Sequence, residues 1–310
     1  MPLPESALRA APVNDGPVLV LGGASLDTIV HLDTLPEPVP QTLWPRRSYR
    51  TLGSTGAGKA LNLAELGHRV VFHTLLGGDP EGEAVRAELA HPNVTLLTEV
   101  TAEATEQHVN LMTPAGERIS LFVQPPADPD AIDWAPVQTA LSTASLVVAN
   151  ILAYVKPALP WLVEAGVPVW TDLHDYDGAN PYHQPFIEAA DVIFLSSDNL
   201  RDYRQTMEAL IAQGKALVVC THGRNGATAL TADGQWLEQP ALPVAEVVDT
   251  NGAGDAFFSG FVHGVRRGAS LAACLRMAAY CGARCVTSTG LAAPGLADGV
   301  LSEGAAGGAG

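Results

Sequence analysis

Residues 247–262 read VVDTNGAGDAFFSGFV, and this stretch organises the interpretation of the whole chain. The small side chains at 252–254 allow successive backbone N–H groups to close around a phosphoryl oxygen. The sequence that follows predicts a helix over residues 256–265, whose N-terminus adds a partial positive charge. Asp255 would repel a phosphate unless it accepts a proton, so it is a candidate general base. The alternative is an ordinary tight turn in which Asp255 caps the helix.

The pattern D-T-x-G-A-G-D-x-F, which starts at Asp249, resembles the C-terminal signature of the ribokinase family of carbohydrate kinases, also called the pfkB family. In that family the GAGD backbone is the anion hole for the transferring phosphoryl group, and its aspartate deprotonates the acceptor hydroxyl. The resemblance implies phosphoryl transfer from ATP to a hydroxyl, expected to be primary, of a small sugar or nucleoside. No histidine or lysine near the motif competes for these roles. The implied catalytic residues are Gly252, Ala253, Gly254 and Asp255, and the implied ATP contacts here are Thr250, Gly252 and Gly254.

Length and composition predict one soluble α/β domain over residues 1–310, with a disordered Gly- and Ala-rich tail at 300–310. The net charge of −16 argues against nucleic acid and anionic membranes as partners. No segment approaches a transmembrane span or a signal peptide, which predicts a cytoplasmic protein. The four cysteines contain no CxxC pair, so buried thiols are favoured over a metal site, and no protein ligand of a metal is assigned.

Asp27 is a candidate substrate ligand because it closely follows the first predicted strand. Residues 18–21 form a continuous apolar run that ends at a Gly-Gly pair, as a buried strand does before a turn. Sheets of the α/β class place ligand-binding residues at such points, although a cap or turn role explains Asp27 equally well. The family has a sugar-binding aspartate in a G-x-x-x-x-D pattern, which residues 22–27 match, so the resemblance implies that Asp27 binds acceptor hydroxyls.

Residues 53–60 read GSTGAGKA and match the Walker A pattern except at Ala60, which has no hydroxyl for Mg²⁺. An arginine-rich segment precedes them, whereas a P-loop requires a buried apolar strand. A P-loop NTPase that uses residues 53–60 is therefore the last of three functional hypotheses. Lys59 is interpreted as a helix-start side chain rather than a phosphate ligand.

The same segment resembles the family's G-G-x-x-A-N-x-A element, which opens the sugar pocket. Ser54 and Gly58 stand where that element has its second glycine and its asparagine. The loss of the asparagine removes a hydrogen-bonding side chain, so the identity of the substrate is not carried over. The resemblance implies substrate contacts for Gly53, Gly56 and Ala57.

Segments near 24–52 and 105–125 are predicted to form strands outside the main sheet, and the second contains a hairpin turn at 114–117. In the family such a small sheet is a lid over the active site and often a dimer interface, so the resemblance allows a homodimer through the lid. One face of the hairpin is directed to sugar or to solvent, and both readings stay open. The alternating residues concerned are Gln107, His108 and Asn110.

From residue 130 onward strands and helices alternate, which predicts a doubly wound, mostly parallel sheet flanked by helices. Polar residues that end parallel strands meet at one rim of such a sheet. This rim is predicted to carry Asn150, Asp172 and Ser196. The resemblance implies that Asn150 lies near the sugar, and the other two near the nucleotide and its metal. For Asp172 a helix-cap or turn role is the alternative.

The THGRNGA segment resembles the family's T-x-G-x-x-G element, whose backbone approaches ATP; its members here are Thr221, Gly223 and Gly226. The family's N-x-x-E pair, linked to Mg²⁺ and phosphate placement, is replaced by Ser196 and Asn199. Either Asp198 supplies the missing carboxylate or metal handling is weaker. These departures motivate a second hypothesis, a sugar- or nucleotide-binding protein of the same fold with weak or lost kinase activity. The implied cofactors are ATP and Mg²⁺, with a monovalent cation such as K⁺ left open.

Overall fold

The computed structural model describes residues 15–114 and 116–305, which form strands and helices that alternate mainly between residues 146 and 221. The strands are β1 (Val18–Leu21), β2 (Ser25–His31), β3 (Arg47–Gly53), β4 (Val70–Gly77), β5 (Val94–Thr101), β6 (Gln107–Met112), β7 (Arg118–Gln124), β8 (Leu146–Ala149), β9 (Val169–Asp172), β10 (Val192–Ser196), β11 (Leu217–Thr221), β12 (Ala227–Thr231) and β13 (Trp236–Gln239). The helices are α1 (Thr55–Glu65), α2 (Pro80–Glu88), α3 (Ala135–Leu141), α4 (Leu159–Glu164), α5 (Gln184–Ala189), α6 (Tyr203–Ala212), α7 (Ala253–Arg266), α8 (Leu271–Cys285) and α9 (Leu296–Ala305). Short 3₁₀ turns cover Ala153–Ala158, Pro181–His183 and Gly223–Asn225.

The large sheet has the strand order β13-β12-β11-β10-β9-β8-β1-β4-β5. In this order, the seven neighbouring strands β11, β10, β9, β8, β1, β4 and β5 pair in parallel. Strands β12 and β13 add an antiparallel edge next to β11. Helices cover both faces, which is why β1 is apolar at every position: Val18 and Val20 pack toward α1, α7 and α8, and Leu19 and Leu21 pack toward α4, α5 and α6. The predicted doubly wound α/β class is confirmed.

A smaller sheet of four strands, in the order β3-β2-β6-β7, stands apart from the large one. Strand β2 pairs antiparallel with β3 and parallel with β6, and β6 pairs antiparallel with β7. The segments near 24–52 and 105–125 supply these strands, so the predicted small sheet is confirmed. Burial alternates along β6, where His108, Asn110 and Met112 are buried. This burial directs the polar side chains of His108 and Asn110 into the protein rather than to solvent.

The last helix, α9, covers the first part of the predicted disordered tail. Leu296 and Val300 are fully buried and belong to a small apolar cluster with Met277 and Cys281 of α8. The helix continues to Ala305, whereas the sequence analysis expects disorder from residue 300, and residues 306–310 lie outside the described residues. Within the described ranges, no helix has the length and apolar character that a membrane crossing requires.

Candidate active site

Helix α7 begins directly after Gly252, which adopts a left-handed conformation with φ of 76°. A side chain there would also approach Leu291 to 3.1 Å, so the turn needs glycine for both its backbone and its surroundings. A Cβ on Gly254 would meet nothing within 4 Å, so the turn borders open space. The first N–H groups of a helix have no intrahelical acceptor and carry partial positive charge. This turn therefore has the shape and polarity of an anion site.

Asp255 lies in the first turn of α7, one residue beyond the open turn, and it is buried. Burial raises the pKa of Asp255, and the positive charge of Lys59 opposes that rise. The Lys59 Nζ donates a 2.5 Å hydrogen bond to Asp255 Oδ1. A Cβ on Gly58 would lie 2.4 Å from Asp255 Oδ2, so the absence of a side chain at 58 makes room for the carboxylate.

Lys59 stands at the centre of a charge cluster in which its own side chain is the most deeply buried member. Its Nζ lies 2.5 Å from Asp255 Oδ1 and 3.1 Å from Asp172 Oδ2, and its side chain has no exposed surface. His174 completes the cluster, with Nδ1 3.4 Å from Asp172 Oδ2. Burial disfavours the charged form of Lys59, but the two carboxylates outweigh it and raise the pKa of Lys59. Burial likewise opposes ionisation of Asp172, but His174 and Lys59 lower the pKa of Asp172 to about 2.

Two expectations about this region are wrong. Lys59 is not a helix-start side chain, because it lies in the second turn of α1 and reaches the Asp255 carboxylate across 196 residues of sequence. A lysine and a histidine therefore do lie next to the motif in space. The sequence offered one signal for this position, because Lys59 lies four residues before Leu63 and therefore on the same helix face. In the structure both side chains are completely buried. A lysine that pairs with two carboxylates is also not free to bind phosphates, which leaves residues 53–60 without the P-loop role.

Asp27 is the centre of a second buried polar cluster, on the small sheet. Ser25 Oγ donates to Asp27 Oδ1 at 2.6 Å, Asn110 Nδ2 donates to Oδ2 at 3.0 Å, and His108 Nδ1 lies 3.3 Å from Oδ1. The other ring nitrogen of His108 lies 2.8 Å from Glu106 Oε1. Burial opposes charge on His108, but Asp27 and Glu106 outweigh it and raise the pKa of His108 to about 9. Asp27 lies inside β2, so a cap or turn role does not describe it.

Among the predicted pocket residues of the 53–60 segment, Gly53 packs against Asp27, and Gly56 and Ala57 pack against Gly23. A Cβ on Gly53 would lie 2.2 Å from the carboxyl carbon of Asp27, and one on Gly56 would lie 2.6 Å from the Gly23 carbonyl oxygen. The Ala57 N–H donates to the same oxygen at 3.0 Å, and its side chain is fully buried. These three residues therefore shape the backbone around the turn that follows β1.

Asn150 directly follows β8, at the rim where the sequence places it. Its Nδ2 donates to the Leu21 carbonyl oxygen at 2.8 Å, and its Oδ1 accepts from Thr55 Oγ1 at 3.3 Å. These contacts join the ends of β8 and β1 to the start of α1. The amide thus has partners within the protein on both its oxygen and its nitrogen.

The predicted nucleotide residues meet at the carboxyl ends of three neighbouring strands. Asp172 ends β9, Ser196 ends β10, and Thr221, which pairs with Ser196 in register, ends β11. Gly223 and Gly226 follow with φ values of 53° and 95°. The rim expectation for parallel strands accounts for this meeting. Asp172 also accepts a 3.0 Å hydrogen bond from the His174 N–H, so its turn role and its place in the charge cluster coexist.

The residues that replace the N-x-x-E pair make local contacts. The Ser196 hydroxyl accepts from the Asp198 N–H at 3.2 Å, and Asn199 Nδ2 donates to the Asp175 carbonyl oxygen at 2.8 Å. In the part of the chain that the structure describes, no group of three or more His, Cys, Asp or Glu side chains is placed to hold a metal. Within the described ranges, these four side-chain types therefore form no dedicated Mg²⁺ cage.

The small sheet contacts the loop that leads into α7. The Tyr49 hydroxyl donates to Asp249 Oδ2 at 2.5 Å, and Arg47 Nη2 donates to the Val248 carbonyl oxygen at 3.1 Å. Asp249 Oδ1 in turn accepts from the Asn251 N–H at 2.8 Å. Burial and the Asp249 carboxylate raise the pKa of Tyr49, so this hydroxyl keeps its proton. Sequence reasoning gave no role to Tyr49, because its partner lies 200 residues away.

The chain is similar to known proteins over most of its length. The family model described as pfkB family carbohydrate kinase matches residues 20–297. The acarbose 7(IV)-phosphotransferase of Actinoplanes sp. is 38% identical over 274 residues, which cover 87% of this chain and 92% of that protein. The ribokinase of Arabidopsis thaliana is 25% identical over 322 residues, which cover 95% of this chain and 81% of that protein.

Two solved structures share the fold. The microbiome-derived acarbose kinase Mak1 is 30% identical, with a TM-score of 0.80 over 94% of this chain and all of that chain. The Arabidopsis thaliana ribokinase complexed with ribose and ATP is 23% identical, with a TM-score of 0.75 over 93% of this chain and 98% of that chain.

Proposed function

The chain belongs to the pfkB family of carbohydrate kinases, and we propose that it moves the γ-phosphoryl group of ATP to a hydroxyl, expected to be primary, of a carbohydrate or nucleoside. The observation that carries this proposal is the position of Asp255. Its carboxylate lies in the first turn of α7, directly beside the open turn formed by Gly252, Ala253 and Gly254. A base and an anion site are thereby adjacent, as phosphoryl transfer requires.

In this proposal Asp255 takes the proton of the acceptor hydroxyl through Oδ2, the oxygen that is not paired with Lys59. The acceptor oxygen forms a bond to the γ-phosphorus while the bond from that phosphorus to the bridging oxygen of ADP breaks, and ADP leaves with the electron pair. The amides of residues 252–254 stabilise the charge on the transferring phosphoryl oxygens. Fixed local dipoles hold the phosphates here despite the net charge of −16.

We assign the nucleotide side to the rim that carries Asp172, Ser196 and Thr221, together with Gly223, Gly226 and Thr250. Mg²⁺, when bound, neutralises phosphate charge, and it usually keeps several waters and binds chiefly to substrate phosphates. No described cluster of side chains forms a cage for it. A requirement for K⁺ stays a prediction of the family resemblance.

The acceptor side is assigned to the cluster around Asp27, whose carboxylate and neighbouring Asn110 offer hydrogen-bonding groups in a buried setting. Asn150, Gly53, Gly56 and Ala57 frame this pocket. The relative at 38% identity is named for phosphorylation of acarbose. We therefore propose acarbose as the first acceptor to test, ahead of single sugars and nucleosides.

We propose that the small sheet is a lid and that two copies of the chain associate through it. Strand β7 is an edge strand of that sheet, and its side chains at Leu121, Phe122 and Val123 are exposed. An exposed apolar edge of this kind favours pairing with a second copy. Sedimentation of the purified protein tests this, and a monomer at all concentrations would remove the dimer.

The deciding experiment measures ADP release with MgATP and a panel of acarbose, ribose, fructose and nucleosides, beside the Asp255→Asn variant. Acceptor-dependent ADP release that this variant lacks supports the proposal. Acceptor binding by calorimetry without any ADP release would instead favour the second hypothesis, a binding protein of the same fold. The departures at Ser196 and Asn199 are the observation that keeps this second hypothesis in the test.

A further inference from the structure

We propose that Lys59 is a positioning residue that keeps the Asp255 carboxylate ionised and correctly aimed, and that Asp172 limits how strongly it does so. The inference rests on the proposed role of Asp255 as general base. It adds a residue that the aligned family element does not call for, since Lys59 follows the position where that element has its asparagine.

The geometry leaves Lys59 little freedom. The Nζ lies 2.5 Å from Asp255 Oδ1, 3.1 Å from Asp172 Oδ2 and 5.2 Å from the ring centre of Phe258. An ammonium has three N–H donors, and two of them are directed at carboxylates from different elements, α7 and β9. The backbone carbonyl of the same lysine accepts from Ser259 Oγ at 3.3 Å, which further fixes α1 against α7. Asp255 is therefore held by one specific donor.

The titratable groups around Asp255 come from three other elements. From α1 it faces Lys59, and from the end of β9 it faces Asp172 and His174. Burial lowers the pKa of His174, so this ring is neutral at pH 7. From α8 it faces Cys285, whose pKa burial raises to about 12, so that thiol is neutral as well. One positive and two negative charges remain, and the two carboxylates share a single cation.

Burial by itself raises the pKa of the Asp255 carboxyl and so favours its protonated form. A protonated Asp255 cannot accept the acceptor's proton. The Lys59 charge opposes this effect, and the Asp172 charge draws part of the Lys59 interaction away. Removal of the lysine charge and removal of the Asp172 charge must therefore change the basicity of Asp255 in opposite directions. A simple loss of packing would not produce opposite signs.

The kinetic test follows the acid limb of kcat/KM for the acceptor at saturating MgATP, because this limb reports the ionisation of the base. In Lys59→Met, which keeps the length of the side chain without its charge, the limb moves to higher pH by about one unit or more. In Asp172→Asn the limb moves to lower pH. Because this variant retains a balanced Lys59–Asp255 pair, it still tests the inference if Lys59→Met folds poorly. Limbs that stay in place, or that move in the same direction in both variants, overturn the inference.

A second test needs no turnover. Thermal melts are recorded between about pH 5 and pH 8 for the wild type, Lys59→Met, Asp255→Asn and the double variant. Lys59→Met leaves two buried carboxylates without a cation, so their pKa values lie above those of the unfolded chain and its Tm falls as pH rises. The double variant has one buried carboxylate fewer, so it regains much of the Tm that Lys59→Met loses. If the double variant does not regain Tm relative to Lys59→Met, the inference is overturned. Turnover by Asp255→Asn would instead refute the proposed function, and the melts would still decide whether Lys59 and Asp255 are coupled.

Discussion

Tyr49 and Asp249 are joined by a 2.5 Å hydrogen bond from the phenol to the carboxylate, although 200 residues separate them. Tyr49 belongs to β3 of the small sheet, and Asp249 belongs to the loop that enters α7. This bond makes the position of the small sheet depend on the loop that leads to the anion site. Movement of one is therefore expected to disturb the other.

Tyr49→Phe removes the hydroxyl and leaves the buried Asp249 Oδ2 without that donor. We expect faster hydrogen exchange in β3 and in residues 247–251, and a loss of roughly tenfold in kcat/KM, since a hydrogen bond to a charged group contributes about 1.5 to 3 kcal/mol. Arg50→Met is the matched control, because it removes an exposed ion pair with Glu81 from the same strand. Equal effects of the two variants would contradict a special role for Tyr49.

Asp255→Asn retains the size of the side chain but cannot take up the acceptor's proton. We expect kcat to fall by roughly 10² to 10⁴ while ATP binding persists. Single-turnover kinetics and nucleotide titration measure the two quantities separately. Glu208→Gln, a carboxylate-to-amide change on the exposed surface of α6, controls for the loss of a negative charge. Normal turnover by Asp255→Asn would refute its role as the base.

Asp27→Asn weakens the acceptor cluster, because Ser25, His108 and Asn110 all contact this carboxylate. We expect acceptor binding to lose about 2 to 4 kcal/mol, with ATP affinity unchanged. Isothermal titration with acarbose and with ATP gives both values. An equal loss for both ligands would indicate general unfolding, and an unchanged acceptor affinity would remove Asp27 from the pocket.

Stability should fall on the acid side because of buried neutral histidines. Burial lowers the pKa of His68 to about 3 and those of His73 and His263 to about 4. Between these values and the ordinary value of 6.5, the unfolded chain binds protons that the folded chain does not. The free energy of unfolding therefore decreases as pH falls below 6.5, by at most about 1.4 kcal/mol per pH unit for each histidine.

Urea denaturation between pH 7.5 and pH 5 measures this slope. His73→Phe removes one titrating ring and keeps an aromatic contact with Trp134 and Tyr154. This variant should show a shallower acid dependence than the wild type. Parallel curves for the two proteins would exclude His73 from the effect.

His108 acts in the opposite direction. Its carboxylate neighbours raise its pKa to about 9, above the ordinary value of 6.5. Its contribution to stability is thus fully present below pH 6.5 and disappears as pH rises through about 9. Chemical denaturation of His108→Gln from pH 6 to pH 10 should lack this alkaline decline, and an unchanged decline would assign it to other groups.

The fold followed from the sequence because each of its signals is local. Apolar runs, glycine turns and alternation identify strands one at a time. The carboxyl ends of parallel strands meet at one rim of a sheet, and Asp172 and Ser196 accordingly end the neighbouring strands β9 and β10. Alternation along β6 did not show whether His108 and Asn110 face solvent. Their burial in the structure shows that both side chains turn inward.

The contacts of the candidate site could not be predicted from the sequence, because they join residues far apart in the chain and the sequence signals are local. Lys59 meets Asp255, and Tyr49 meets Asp249, only after α1 and the small sheet pack against α7 and the loop before it. No spacing within the sequence encodes these pairs. Residues 53–60 resemble a phosphate loop, whose backbone binds phosphate, whereas in the structure the side chain of Lys59 makes the contact to Asp255.

The interior position of β1, which has a neighbouring strand on each side in the large sheet, has a consequence for synthesis on the ribosome. Strand β1 pairs with β4 on one side and with β8 on the other, and β8 begins only at Leu146. At 5 to 20 residues per second, β1 waits on the order of ten seconds with one apolar edge unpaired. Such an edge can pair with another nascent chain. We therefore expect the soluble yield to respond to chaperone supply and growth temperature, independently of how stable the finished protein is.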